Sequence, residues 1–193
     1  MVSKEEIEYS IKDHDDFVKI DKLKRYLKSA DSLDTKKYLL LKLAAVCEAR
    51  TLYKDAAKYI ANASEITITY KEKADLYIKE AELEIKDNQF EAADRSLNSA
   101  LSCTNSQEKN LVINRYLDLY RNVGKTAENS DKKRRAIEVY EKLIQLKQPF
   151  EKRMEVRDKL IILHEAMGHI RDVERLKRMD FREPPKVDFR PYG

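Results

Sequence analysis

Tryptophan is absent from these 193 residues, which hold only three glycines, four prolines, two cysteines and three histidines. Three glycines cannot build a loop that cradles a phosphate, and no GxxxxGK[ST], GxSxG, HExxH or CxxC pattern occurs. Cys47 and Cys103 fall on apolar helical faces and read as buried free thiols, not as a disulfide framework. His14, His164 and His169 complete no metal-ligand set by their spacing, and they read as structural or surface residues. Glu80, Glu82 and Glu84 lie in a charged helical stretch and read as a solvated face. No catalytic set can be assembled, so the expectation is a non-enzyme with no cofactor and no bound metal.

Long apolar runs are missing too. Nothing approaches the roughly 18 residues of a membrane-spanning helix. Residues 1–21 carry no charged leader followed by an apolar core and a cleavage site. A cytoplasmic location without membrane insertion is therefore expected.

What the chain does have is a recurring signature of small, aromatic and aliphatic residues set among abundant charge. Its clearest copy reads Tyr77, Ala81, Asn88, Phe90, Ala93, Leu97, Ala100 and Leu101. An earlier copy reads Leu40, Leu43, Ala44, Cys47, Thr51, Tyr53, Ala56, Ile60 and Ala63, so that Tyr53 and Phe90, Ala56 and Ala93, and Ala63 and Ala100 are each 37 residues apart. Steps of three and four keep side chains on one helical face, and small residues let two helices approach closely. Each copy is thus expected to be a helical hairpin, turning at Arg50-Thr51-Leu52 and at Asp87-Asn88-Gln89. A third copy, Tyr120, Val123, Gly124, Ala127, Ala136, Tyr140, Leu143 and Ile144, comes 43 residues later, which predicts one helix longer by a turn or two. A weaker fourth copy, Leu160, Ile161, His164, Gly168, Ile170 and Val173, places a helix-ending glycine at the next turn.

These residues resemble the tetratricopeptide repeat, a helix-turn-helix unit of about 34 residues that stacks into a solenoid. The resemblance covers residues 37–180 and departs from the family in spacing, in the lack of its tryptophan, and in Thr51, Asn88 and Asp131 standing where the turn glycine is usual. It implies an all-α, right-handed superhelix of about four hairpins. Residues 1–36 are expected to form a helical cap, with a capping pattern at Ser3-Lys4-Glu5-Glu6 and a second helix from Asp15 or Asp16 through Phe17, Ile20, Leu23, Tyr26 and Leu27. Residues 181–193, rich in proline and aromatics, are expected to be extended, as a lid on the last hairpin or a docking strand.

The resemblance also implies that first helices line a wall accepting a peptide or a helix from a protein partner. By that register the wall presents Tyr38, Leu41, Lys42, Ala45 and Glu48, then Ile78, Lys79, Glu82 and Lys86, then Arg121, Asn122 and Lys125, then Asp158, Lys159 and Ile162. The binding residues expected are Tyr38, Lys42, Lys79, Glu82, Arg121, Asn122, Lys125 and Lys159. Co-chaperone members of the family grip a C-terminal carboxylate with Lys, Asn, Asn, Lys and Arg on three successive first helices. The positions here hold Leu41, Ala45, Lys79, Asp118 and Asn122, or one repeat later Ile78, Glu82, Asn122, Glu155 and Lys159, so such a tail is not the expected ligand.

Positive charge is concentrated in the last third. Residues 131–193 contain 17 Lys/Arg against 12 Asp/Glu, a net of +5, whereas residues 1–130 contain 22 against 23, a net of −1. Lys132, Lys133, Arg134 and Arg135 open a helix, where the dipole favours acids instead. Arg171, Arg175, Lys177 and Arg178 could extend the patch. The alternative function expected from these residues is an RNA- or ribosome-associated factor. Against it stand compensating acids at Glu138, Glu141, Asp172 and Glu174, and the absence of an aromatic within the run. Oligomeric state is not legible in the sequence.

Overall fold

The computed structural model describes residues 4–179. Helix takes up 80% of them, in ten segments, with no strand among the described residues. None of these helices is long and apolar enough to cross a membrane. The segments are α1 (Lys4–Ile11), α2 (Asp16–Ser29), α3 (Leu33–Ala49), α4 (Tyr53–Glu65), α5 (Tyr70–Lys86), α6 (Phe90–Ser102), α7 (Lys109–Asn129), α8 (Lys133–Gln145), α9 (Phe150–Ala166) and α10 (Ile170–Lys177). From α1 to α6, and again from α8 to α10, consecutive helices pack against one another, consistent with an all-α helical-repeat arrangement.

The hairpin turns explain the repeat. Thr51, Asn88, Asp131 and Gly168 all adopt positive φ, at 59°, 64°, 54° and 74°. At each of them the preceding helix closes in the same way. The turn residue's N–H donates to the carbonyl three residues back, and the next N–H donates to the carbonyl five back, at 2.9 Å in Leu52 to Cys47, 2.8 Å in Gln89 to Glu84, and 2.9 Å in both Lys132 to Ala127 and His169 to His164. This pair of bonds satisfies carbonyls that a helix end leaves orphaned. The next helix starts two residues beyond the turn, at Tyr53, Phe90, Lys133 or Ile170. Lys133 thus occupies the place that an aromatic holds in the first two copies.

The 43-residue interval is also resolved. The helix α7 has 21 residues where α3, α5 and α9 have 17, and six residues precede it where four precede α5 and α9. One extra turn and a longer loop supply the six additional residues. Ahead of the first copy, α1 and α2 form a hairpin of their own. Asp15 caps α2 by accepting from the N–H groups of Phe17 and Val18 at 2.9 and 3.1 Å, and Ser32 caps α3 by accepting from the Thr35 N–H at 3.0 Å. The capping pattern at Ser3 and the tail from residue 181 lie outside the described residues.

Contacts divide the chain into two compact units, residues 1–112 and 113–193. In the first, Ile7, Leu23, Leu39, Leu43 and Leu83 are fully buried, and so are the small residues Ala56, Ala63 and Ala81. Each large apolar side chain so buried contributes about 1.5–3 kcal/mol. The second unit is built around tyrosines. Tyr116 and Tyr120 are fully buried edge-to-face neighbours with ring centroids 5.3 Å apart. Tyr140 lies so close to Gly124 that a Cβ there would be 2.4 Å from its ring, so this helix pair requires glycine on α7.

Candidate interaction surface

In the first unit, α3 and α5 are held together by ion pairs along one face. Glu48 on α3 accepts from Lys79 at 2.9 Å and Lys86 at 2.7 Å, and Glu82 accepts from the same lysines at 3.0 and 2.5 Å. Two acids and two cations close a ring of zero net charge. Burial raises the Glu48 carboxyl, but the hydrogen bonds from Lys86 and Lys79 outweigh that and leave it below the usual range. Lys86 is pulled down by burial and up by Glu48 and Glu82, and its ammonium ends above the ordinary lysine range.

Glu8 from α1 forms a second cluster on this face. It pairs with Lys42 at 2.5 Å and accepts from the Tyr38 hydroxyl, and these bonds hold its carboxyl below the usual range. Lys4 and Lys42 lie over the Tyr38 ring at 5.5 and 5.7 Å. Next to the cluster is an open depression of about 740 Å³, its open mouth included, with Ala45, Val46 and Ala49 of α3 and Ile11 of α1 among its lining and Lys12, Asp16 and Lys19 around it. Small residues on the floor and charges on the rim suit the close approach of a helix or an extended peptide.

In the second unit, Lys159 of α9 pairs with Glu128 of α7 at 3.0 Å, donates to the Tyr140 hydroxyl at 3.2 Å and covers its ring at 5.2 Å. Burial, and then Glu128, push the Tyr140 phenol upward. Arg121 pairs with Asp118 at 2.6 Å and donates to the Gln148 side chain at 2.8 Å. Asn122 and Lys125 are exposed, and Lys125 has no ion pair among the described residues. Ile162 is 65% exposed.

The basic residues divide into two kinds. In the second group, Arg175 pairs with Glu141 and Asp172, both at 3.1 Å, Lys177 with Glu165 at 3.1 Å, and Arg178 with Glu174 at 3.5 Å, while Arg171 has no ion pair among the described residues. In the run that opens α8, Lys133 pairs with Asp131 at 3.5 Å and Arg135 with Glu138 at 3.7 Å. Lys132 and Arg134 are exposed and have no ion pair among the described residues. The four cations border an open depression together with Asp131 and Met167.

Two expectations are corrected. Ile78, assigned to the wall by register, is 4% exposed and joins Ala74, Ala81 and Ile85 in the buried stripe of α5. The acids Glu80, Glu82 and Glu84 do not share a solvated face. Glu82 belongs to the lysine ring, whereas Glu80 and Glu84 are half-buried on the other side, where Ser96 of α6 donates to Glu84 at 2.7 Å. Burial, then the charge of Glu84, pushes the Glu80 carboxyl up to about 7. Glu8 and Glu128, which pair with Lys42 and Lys159, were not foreseen from the sequence. Glu8 lies outside the repeats and carries no register signal, but Glu128 sits three residues before the turn at Asp131, as Glu48 does before Thr51.

The fold defines the class as an all-α helical-repeat protein. Compared with protein-family models the chain matches none, and no curated protein matches it.

Proposed function

We propose that this chain is a non-catalytic interaction scaffold of tetratricopeptide-like build, taking a peptide or helix from a protein partner along the α1 and α3 face of its first unit. The observation that carries the reading is the depression floored by Ala45, Val46 and Ala49, on whose rim Glu8 pairs with Lys42 and Asp16 with Lys19. Because Glu8 and Lys42 neutralise each other, a partner meets a surface with little net charge and gains mainly from apolar burial and shape. The neighbouring ring of Glu48, Lys79, Glu82 and Lys86 keeps α3 and α5 in fixed register, so the surface is pre-organised and binding orders few side chains.

Affinity capture from the native cell tests this. Ala45→Arg places a long cation on the floor, and it is expected to abolish capture of the bound protein while leaving the helical signal and melting temperature unchanged. Undiminished capture by Ala45→Arg contradicts the proposal.

A second reading is favoured by Lys132 and Arg134, exposed cations without an ion pair among the described residues beside an open depression. They supply a nucleic-acid or ribosome contact through phosphates. Capture at low and moderate salt separates the two. Only the phosphate reading predicts recovered RNA, lost on adding salt and on Lys132→Glu with Arg134→Glu.

A further inference from the structure

We infer that the second unit holds a binding site for a single divalent transition-metal ion of the zinc class, formed by His164, His169 and Asp172. The sequence alone set the two histidines aside because no third ligand follows at a familiar spacing. The turn between α9 and α10 changes that. Gly168, with φ at 74°, reverses the chain between them, so that His164 in the last turn of α9 faces His169 at the start of α10, and Asp172 one turn into α10 joins them. One nitrogen from each histidine and a carboxylate oxygen of Asp172 lie within 4.8 Å of one another.

The geometry fits a metal. The two Nδ1 atoms are 3.2 Å apart. A tetrahedral zinc with Zn–N bonds of about 2.0–2.1 Å holds two nitrogens roughly 3.3 Å apart. Without an ion, one imidazole must donate its N–H to the other. With an ion between them, both Nδ1 lone pairs are used, and the proton of each ring moves to Nε2. His164 is 3% exposed, and its Nε2 has no hydrogen-bond partner although Glu141 Oε1 lies 3.7 Å away. A metal on Nδ1 fixes the tautomer that donates from Nε2 toward that carboxylate, which is the usual outer arrangement around a metal-bound histidine.

Charge is consistent with this. The start of α10 disfavours a cation through the helix dipole, but Asp172 and Glu141 bring two negative charges to the spot, against the single Arg175 that lies 3.1 Å from both. Arg175 can release Asp172 to the ion and remain on Glu141. Three protein ligands leave a fourth position for water or for a donor from a bound partner. Imidazole with carboxylate selects zinc, nickel or cobalt over magnesium or calcium.

The test is titration of the untagged full-length chain with Zn(II) against a chromophoric chelator, paired with Co(II) absorption spectra. The expected result is one Zn(II) per chain and a Co(II) spectrum of tetrahedral intensity. His169→Gln and Asp172→Asn should each weaken Zn(II) binding at least tenfold while the metal-free protein still unfolds cooperatively with unchanged helical signal, and His14→Gln in the first unit has no effect on Zn(II) binding. Absence of saturable Zn(II) binding, or binding that survives His169→Gln and Asp172→Asn together, overturns the inference.

Discussion

The two units meet the same problem, packing a second helix against a first, with different side chains. Seven residues before the turn the first unit has Ala44 and Ala81, and nine residues after it Ile60 and Leu97, all at most 4% exposed. The corresponding positions of the α7 and α8 hairpin hold Gly124 and Tyr140. A larger side chain on one helix is matched by removal of the last methyl from the other, so the register conserves volume, not residue type. The charged faces differ in a parallel way. Glu48, Lys79, Glu82 and Lys86 neutralise one another in the first unit, whereas Lys125, Lys132 and Arg134 of the second have no ion pair among the described residues. Self-compensated charge favours a shape-reading surface, and unpaired cations favour an anion.

Volume matching gives the largest expected effect. Gly124→Ala gains helix propensity but forces a Cβ to within 2.4 Å of the Tyr140 ring. Overpacking outweighs the gain, and a loss of about 1–3 kcal/mol is expected in urea unfolding. Adding Tyr140→Leu, which recreates the Ala81 and Leu97 combination, should recover stability relative to Gly124→Ala alone. No recovery breaks the comparison between units.

The next effect depends on pH and on the two faces of α5. The Glu80 carboxyl is raised above its unfolded value, so between about pH 4.5 and 7 the folded chain binds more protons than the unfolded one. Its contribution is present in full below the unfolded pKa and is lost as pH rises through about 7. Glu48 has the opposite sign, since its lowered pKa gives stability at neutral pH that is lost on acidification. Glu80→Gln should therefore stabilise by on the order of 1–2 kcal/mol at pH 8 and by almost nothing at pH 4.5. Equal effects at both pH values would show that Glu80 titrates as a solvated acid.

The smallest effect concerns the turns. Thr51 is β-branched at a φ of 59°, where glycine is unstrained. Thr51→Gly should raise stability by about 1 kcal/mol, whereas Gly168→Ala, with open space around its Cβ but a φ of 74°, should lower it by a similar amount. Thermal or urea melts of the two variants measure both.

The hairpins and turns were legible because they depend on local chemistry. Small and apolar residues at steps of three and four, together with Thr51, Asn88, Asp131 and Gly168, fix where each helix stops. Side chains that meet across helices were less legible. Glu8 reaches Lys42 from a helix outside the repeat, Ser96 turns Glu80 and Glu84 inward, and Asp172 joins His164 and His169 only after Gly168 reverses the chain. Spacing along one helix contains none of this information. Ile78 shows the same limit within a helix, since register placed it on the wall while the stripe of Ala74, Ala81 and Ile85 draws it inward.

Amide hydrogen exchange of the full chain, with and without its captured protein partner, tests the interaction surface most directly. The account predicts slowed exchange in α1 and α3, around Ala45 and Ala49, with α4 and α6 unchanged. Slowing confined to α4 and α6, or to residues 132–135, would contradict it.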